Sequence, residues 1–200
     1  MTKMRKPTQP GRLEGLIESA EGRVLTALAK ASKYNVVEIG SHKGKSTAYL
    51  GVGVQQGGGD NMVYAVDVWR RFAEYYPNKP TSIFNDRKVF DTWEAQVAAA
   101  GVRDVVLPLE MSSADAVQEF DEDDVIGLLF IDAAHDYENA LLDFELWAPL
   151  VYKGGVVAFH DYGNPRWPHG VTKVVNEKLR DNPEYTDFNT MGTLAWATKR

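Results

Sequence analysis

Tyr34-Asn-Val-Val-Glu-Ile-Gly-Ser-His-Lys-Gly-Lys-Ser-Thr47 runs a short apolar strand straight into a glycine-bearing turn and then into a helix-like segment. That succession is how α/β folds build a nucleotide-sized site at the carboxyl end of a strand. Glu38 falls at the strand's end, where a carboxylate can meet a ligand's polar group, and Gly40 and Gly44 let the backbone come close. Spacing weighs against two phosphate loops. A Walker loop ending in Gly44-Lys45-Ser46 requires glycine where Ile39 stands, so a nucleotide hydrolase is the weaker reading. A dinucleotide fingerprint requires its second glycine where His42 stands, and a side chain there obstructs a pyrophosphate.

Outward from this block the hydrophobic pattern alternates. Strand-like runs fall at 35–39, 63–67, 104–109, 125–131 and 155–160, with helical candidates between them at 44–55, 86–100, 112–120 and 136–147. Such alternation makes an α/β protein with a parallel sheet. A helix near 170–180 and two short strands near 185–189 and 193–198 close the sheet with a hairpin-like pair. At the start, Leu13, Leu16, Ile17, Val24, Leu25, Leu28 and Ala29 recur at largely helical spacing, interrupted by Gly22. Residues 1–33 therefore read as a helical extension and 34–200 as a single domain.

Composition narrows the partners. Two hundred residues bury one core well, and no compositional break marks a second. A formal net charge of −6 without a long Lys/Arg run argues against nucleic acid. The absence of cysteine removes disulfide and thiol chemistry. The basic opening Met1-Thr-Lys-Met-Arg-Lys-Pro7 is followed by no apolar signal core, and no run approaches membrane-spanning length. The expectation is a soluble cytoplasmic protein with small-molecule partners, no nucleic acid and no membrane; whether it forms a homo-oligomer stays open.

Glu38-x-Gly40-x-x-x-Gly44-x-Ser46-Thr47 resembles the first motif of the class I S-adenosylmethionine-dependent methyltransferases. Val63-Tyr-Ala-Val-Asp67 then reads as a second strand ending in the carboxylate that, in that family, accepts hydrogen bonds from the cofactor's ribose hydroxyls. The chemistry agrees, since an ionised carboxylate is acceptor-only and takes both vicinal hydroxyls at once. The resemblance implies a Rossmann-like, mostly parallel seven-stranded sheet with helices on both faces and an antiparallel C-terminal strand. It implies S-adenosylmethionine as cofactor, met by Glu38, Gly40, Ser41, Gly44, Ser46, Thr47, Asp67, Ser112 and Asp132. Ser112 and Ser113 follow the third strand and equally suit a helix cap; Met111 covers the adenine face or fills core.

Two further strands each deliver an acid: Val125-Ile-Gly-Leu-Leu-Phe-Ile-Asp132-Ala-Ala-His135-Asp-Tyr137, and Lys153-Gly-Gly-Val-Val-Ala-Phe-His160-Asp161-Tyr162. Ligands of open α/β sheets lie outside the strands' carboxyl ends, so Asp132 and Asp161 share an edge with Glu38 and Asp67. Converging carboxylates need a sulfonium, an amino group or a divalent cation to offset them. This block resembles the small-molecule O-methyltransferase branch that includes macrolide-sugar methyltransferases and cephalosporin-hydroxylase-like proteins, and the resemblance covers residues 34–162. In that branch the first acid and the acidic pair bind magnesium, and the histidine three residues after the first acid is the general base. By position these are Asp132, Asp161 and, in the remaining metal position, His160; the catalytic residues are His135 and Asp132. Imidazole is a poor magnesium ligand, so the metal is a softer divalent ion, or water fills the place, or no metal binds.

The implied activity is methyl transfer to a hydroxyl of a small molecule; the alternative is a cofactor-binding protein without turnover. Two aromatic and basic segments read as substrate loops or as plain surface: 69–80, with Trp69, Arg70 and Arg71, and 162–170, with Trp167 and His169.

Overall fold

Five apolar runs become parallel strands: β1 (Asn35–Ile39), β2 (Val63–Asp67), β3 (Val106–Glu110), β4 (Ile126–Ile131) and β5 (Val151–Phe159). They are joined by β6 (Tyr185–Met191) and β7 (Leu194–Lys199) in one sheet of order β3-β2-β1-β4-β5-β7-β6, with β7 antiparallel to both neighbours. The computed structural model describes residues 7–69, 74, 87–121, 124–166 and 169–200. Most of the 69–80 segment, and Trp167, lie outside the described residues. The helices are α1 (Ser19–Ala31), α2 (Lys45–Gly57), α3 (Arg87–Ala100), α4 (Ser113–Ala116), α5 (Tyr137–Trp147) and α6 (Val171–Val175).

Alternation along the strands divides the core into two layers. Val36, Leu128 and Phe130 face Leu25, Leu50 and Trp93 of α1, α2 and α3. Val37, Ile39, Leu129 and Ile131 face the other way, toward Phe144, Trp147 and Val174 of α5 and α6. Both sides of the central strands are thereby covered, which is why they read as continuous apolar runs. Pro108, which cannot donate to a ladder, is tolerated in β3 because that strand is at the sheet's edge. No helix among the described residues is long and apolar enough to cross a membrane.

Several boundaries differ from the sequence expectation for identifiable reasons. The leading segment, which the pattern allows as one or two helices, forms one α-helix that starts at Ser19, after Leu13, Leu16 and Ile17, and runs through Gly22, where a Cβ would stand 2.2 Å from the Tyr49 ring of α2. The absent side chain serves close helix packing. The 112–120 helix shrinks to α4 and a 3₁₀ turn, Val117–Glu119. β5 begins four residues early because Val151 already pairs with Ile126; the register shifts before Leu128 meets Val156, and Gly154, at φ 97°, lies in this irregular stretch. After α6 the chain widens into a π-helical stretch at Asn176–Arg180.

Candidate active site

From β1 the chain builds outward to β2 and β3, then returns to the other side of β1 at β4. Such a reversal leaves a crevice at the strands' carboxyl ends, and a cavity of about 890 Å³ lies there. Its back wall is a close backbone approach: Asp132 N–H donates to Ile39 O at 2.8 Å, and Gly40 N–H donates to Val66 O at 2.9 Å. Gly40 has φ 90°, and Gly44, which precedes α2, has φ 85°. Both glycines are needed for conformation as well as for space.

Gly40, Ser41, Gly44, Ser46, Asp67, Ser112, Asp132, His135, His160 and Asp161 all line this cavity, so the structure brings together most of the residues selected from sequence. Glu38 and Thr47 sit beneath its wall instead. Glu38 is fully buried, and its Oε2 accepts from Ser41 Oγ and from Thr47 Oγ1, which also accepts from Trp93 Nε1 at 3.2 Å. They brace the turn that the cavity uses. Lys45, the residue a nucleotide hydrolase would turn toward phosphates, packs on Gly15 and donates to its carbonyl at 3.4 Å.

Glu38 Oε1 is buried with no hydrogen-bond partner among the described residues. Burial pushes this carboxyl up to about 7, against the hydroxyls of Ser46, Thr47 and Ser41, which pull it down; the Asp132 charge adds a smaller upward push. The native state therefore keeps a proton that the unfolded chain releases near its ordinary value of 4.5. Stability from this group is full below that pH and is lost as pH rises through about 7. Glu38→Gln, which never ionises, is expected to gain on the parent by about 3 kcal/mol between acid conditions and pH of about 8. Urea unfolding of both proteins at the two pH values measures this, and an equal difference at both would contradict it.

Asp67 ends β2 with its carboxylate tied to the turn across the crevice. Oδ2 accepts from the His42 N–H and Oδ1 from the Trp69 N–H, each at 2.9 Å. Burial pushes its carboxyl above the ordinary value, opposed by these backbone donors. Its two donors both have positive φ, 44° at His42 and 31° at Trp69. Trp69 Nε1 donates in turn to His42 O at 2.8 Å, closing the lattice. These two bonds occupy part of the carboxylate's roughly four acceptor positions, and the Ser41 N–H also pulls the carboxyl down. Ser112 caps α4, its Oγ accepting from Asp115 N–H at 3.1 Å, while it also lines the cavity.

Asp132, His160 and Asp161 meet on the opposite wall. His160 Nδ1 lies 3.3 Å from Asp132 Oδ1 and 3.6 Å from Asp161 Oδ2. Its Nε2 lies 3.3 Å from Glu21 Oε2 and 3.2 Å from Thr193 Oγ1. Burial alone would lower the imidazole, but the Asp132 charge and the hydrogen bonds to Asp132, Asp161 and Glu21 win, and it is pushed up to about 12. Glu21 is held down at about 2: burial opposes ionisation, but His160 and the N–H groups of Thr193 and Glu18 outweigh it. Asp161, at φ 62°, accepts from Asn164 Nδ2 and lies 3.3 Å from His135 Nδ1. Aspartate is among the few residues that tolerate this backbone region.

Asp132, His160 and Asp161 can bring one ligand atom each to within 4.8 Å of one another. Their chemistry does not match magnesium, a hard ion that takes oxygen ligands and several waters. His160 offers an imidazole nitrogen, which suits softer divalent ions better than magnesium.

Glu21, Thr193, Asn164 and Asp143 are cavity residues that the sequence reading passed over. Two had a signal. Glu21 interrupts the i, i+4 stripe Ile17, Leu25, Ala29, and Asp143 falls among Ala140, Phe144 and Trp147, all buried. An acid within a buried stripe requires a partner. Burial pushes Asp143 up to about 6, opposed by a hydrogen bond with Ser113, whose Oγ also accepts from Trp147 Nε1 at 2.9 Å.

A family model described as a methyltransferase domain matches residues 37–162. An uncharacterised protein of Acanthamoeba polyphaga mimivirus is 41% identical over 56 residues, a stretch that is 28% of this chain and only 25% of that relative. Among solved structures, cofactor-bound Rv0187 from MTB superposes with a TM-score of 0.68 at 21% identity, over 95% of this chain and 84% of that one. The O-methyltransferase TomG of Streptomyces achromogenes, involved in tomaymycin synthesis and solved with SAM, gives a TM-score of 0.66 at 18% identity, over 92% of this chain and 81% of that one.

Proposed function

This chain belongs to the methyltransferase-domain family, and we propose that it transfers the methyl group of S-adenosylmethionine to a hydroxyl oxygen of a small molecule. The observation that carries the reading is that one cavity takes in both the Gly40–Ser46 turn with Asp67 and the His135–Asp161 pair. In this reading Asp67 uses its remaining acceptor positions for the ribose hydroxyls, Met111 and Ser112 meet the adenine, and the turn approaches the methionine portion. Asp132, beside the turn, supplies negative charge to a sulfonium.

The acceptor oxygen attacks the methyl carbon in line with the departing sulfur. A C–O bond forms as the C–S bond breaks, the sulfonium becomes the thioether of S-adenosylhomocysteine, and the acceptor's proton passes to His135. Asp161, beside Nδ1, favours the tautomer with its proton there and makes Nε2 the basic nitrogen. No step is routed through a divalent cation, since the donor set does not match magnesium.

Calorimetric titration with S-adenosylmethionine, with and without magnesium or manganese, tests the cofactor without knowledge of the acceptor. Micromolar binding supports the reading, and no binding under either condition would sink it. Binding without transfer to any acceptor would favour a cofactor-binding protein lacking turnover. Asp67→Ala is expected to raise Kd about 10- to 100-fold, the worth of hydrogen bonds to a charged group; an unchanged Kd would remove Asp67 from the cofactor site.

A further inference from the structure

We propose that His160, held by Glu21 of α1, is the resident positive charge of this site and stands where a divalent cation would otherwise balance Asp132 and Asp161. The inference rests on the methyltransferase reading for what the charge is for, but not for its existence. Thr193 settles the state of one ring nitrogen. Its hydroxyl donates to Glu21 Oε1 at 3.0 Å, so toward His160 Nε2, 3.2 Å away, it can only accept. Glu21 Oε2, 3.3 Å from the same nitrogen, is an acceptor too, so Nε2 carries a proton. Nδ1 faces carboxylate oxygens of Asp132 and Asp161, where a lone pair would be repelled and an N–H is welcomed. A ring that donates from both nitrogens is an imidazolium.

Glu21 is what makes this arrangement stable. Its carboxylate also accepts from the Glu18 N–H at 2.8 Å and the Thr193 N–H at 2.7 Å, so helix α1 and the turn between β6 and β7 both hold it in place. It is 3% exposed, and His160 is 7% exposed. Three carboxylates face this one buried ring, and an N–H on each nitrogen meets them. Glu21 is therefore a positioning residue: it orients His160, and His160 offsets the acids on the cavity wall.

The test is uptake of manganese, followed by loss of the free-ion electron paramagnetic resonance signal, in parallel with calorimetric binding of S-adenosylmethionine in the presence of a chelator. The parent protein is expected to take up no stoichiometric manganese below about 1 mM. His160→Asp removes the cation and adds an acid, and is expected to bind one manganese at least tenfold more tightly than the parent; adding Asp132→Asn should abolish that uptake. His160→Asn, which removes the charge alone, is a second variant expected to gain weaker uptake should His160→Asp fail to fold. One tightly bound manganese in the parent, lost on Asp132→Asn, would overturn the proposal, as would variants that fold and gain no metal. Absence of cofactor binding alongside these expected metal results would instead defeat the methyltransferase reading and leave the charge assignment standing.

Discussion

His135→Ala is expected to lower kcat for methyl transfer about 100- to 1000-fold while leaving the Kd for S-adenosylmethionine within about twofold. The expectation follows from its place: His135 is on the cavity wall, 3.3 Å from Asp161 through Nδ1, and lies outside the Gly40–Ser46 turn in sequence. A hydroxyl must lose its proton as the C–O bond forms, and a positioned base contributes rate in this range. Single-turnover transfer of labelled methyl, beside calorimetric binding, separates the two effects. Added imidazole should restore part of the rate if the lost group is a base. Wild-type kcat in the variant would assign the proton transfer elsewhere; loss of cofactor binding would make His135 a structural residue.

The second large effect is on stability. Gly40→Ala places a Cβ 2.4 Å from Asp132 O and 2.7 Å from Ala133 Cα, both backbone atoms that cannot swing aside. It also forces a side chain into φ 90°, a region that costs an L-residue roughly 1–2 kcal/mol by itself. Together these are expected to destabilise the protein by about 3 kcal/mol or more, lowering Tm by about 6–12 °C for a chain of this size. Relief is possible only by parting β1 from β4, and that would also widen the crevice, so cofactor affinity should fall with Tm. Thermal unfolding and calorimetry of the one variant measure both. A Tm within about 2 °C of the parent would show that the strand ends separate freely, contrary to the close backbone approach of Asp132 to Ile39.

Much of this was legible in the chain itself. The alternation of apolar runs with helical periods carries the sheet, because burial of both faces leaves a pattern that needs no partner to be seen. Glycines at 40 and 44 were legible for the same reason: few residues adopt positive φ, and the turn demands it. The acids at the ends of β2 and β4, and Asp161 just beyond β5, stood out because a charge ending an apolar run is costly without a purpose. The turn's internal bracing was less visible. Glu38 reads as a ligand contact from its position, yet β1 points it, with Val36, toward α2, where Thr47, together with Ser41 of the preceding turn, engages it.

What the sequence by itself determined was the order of elements, the strand ends at which the cavity opens, and the set of acids delivered there. Tertiary structure alone decided what neutralises those acids. Glu21 and His160 are 139 positions apart, and Glu21 and Thr193 are 172 apart. Local pattern cannot report such pairs, because periodicity describes which face of an element is buried and says nothing of which distant element will cover it. Only when α1 packs beside the sheet and the turn between β6 and β7 closes on it do the carboxylate, the hydroxyl and the imidazole come within hydrogen-bonding distance, and only then does the charge of the site acquire its sign.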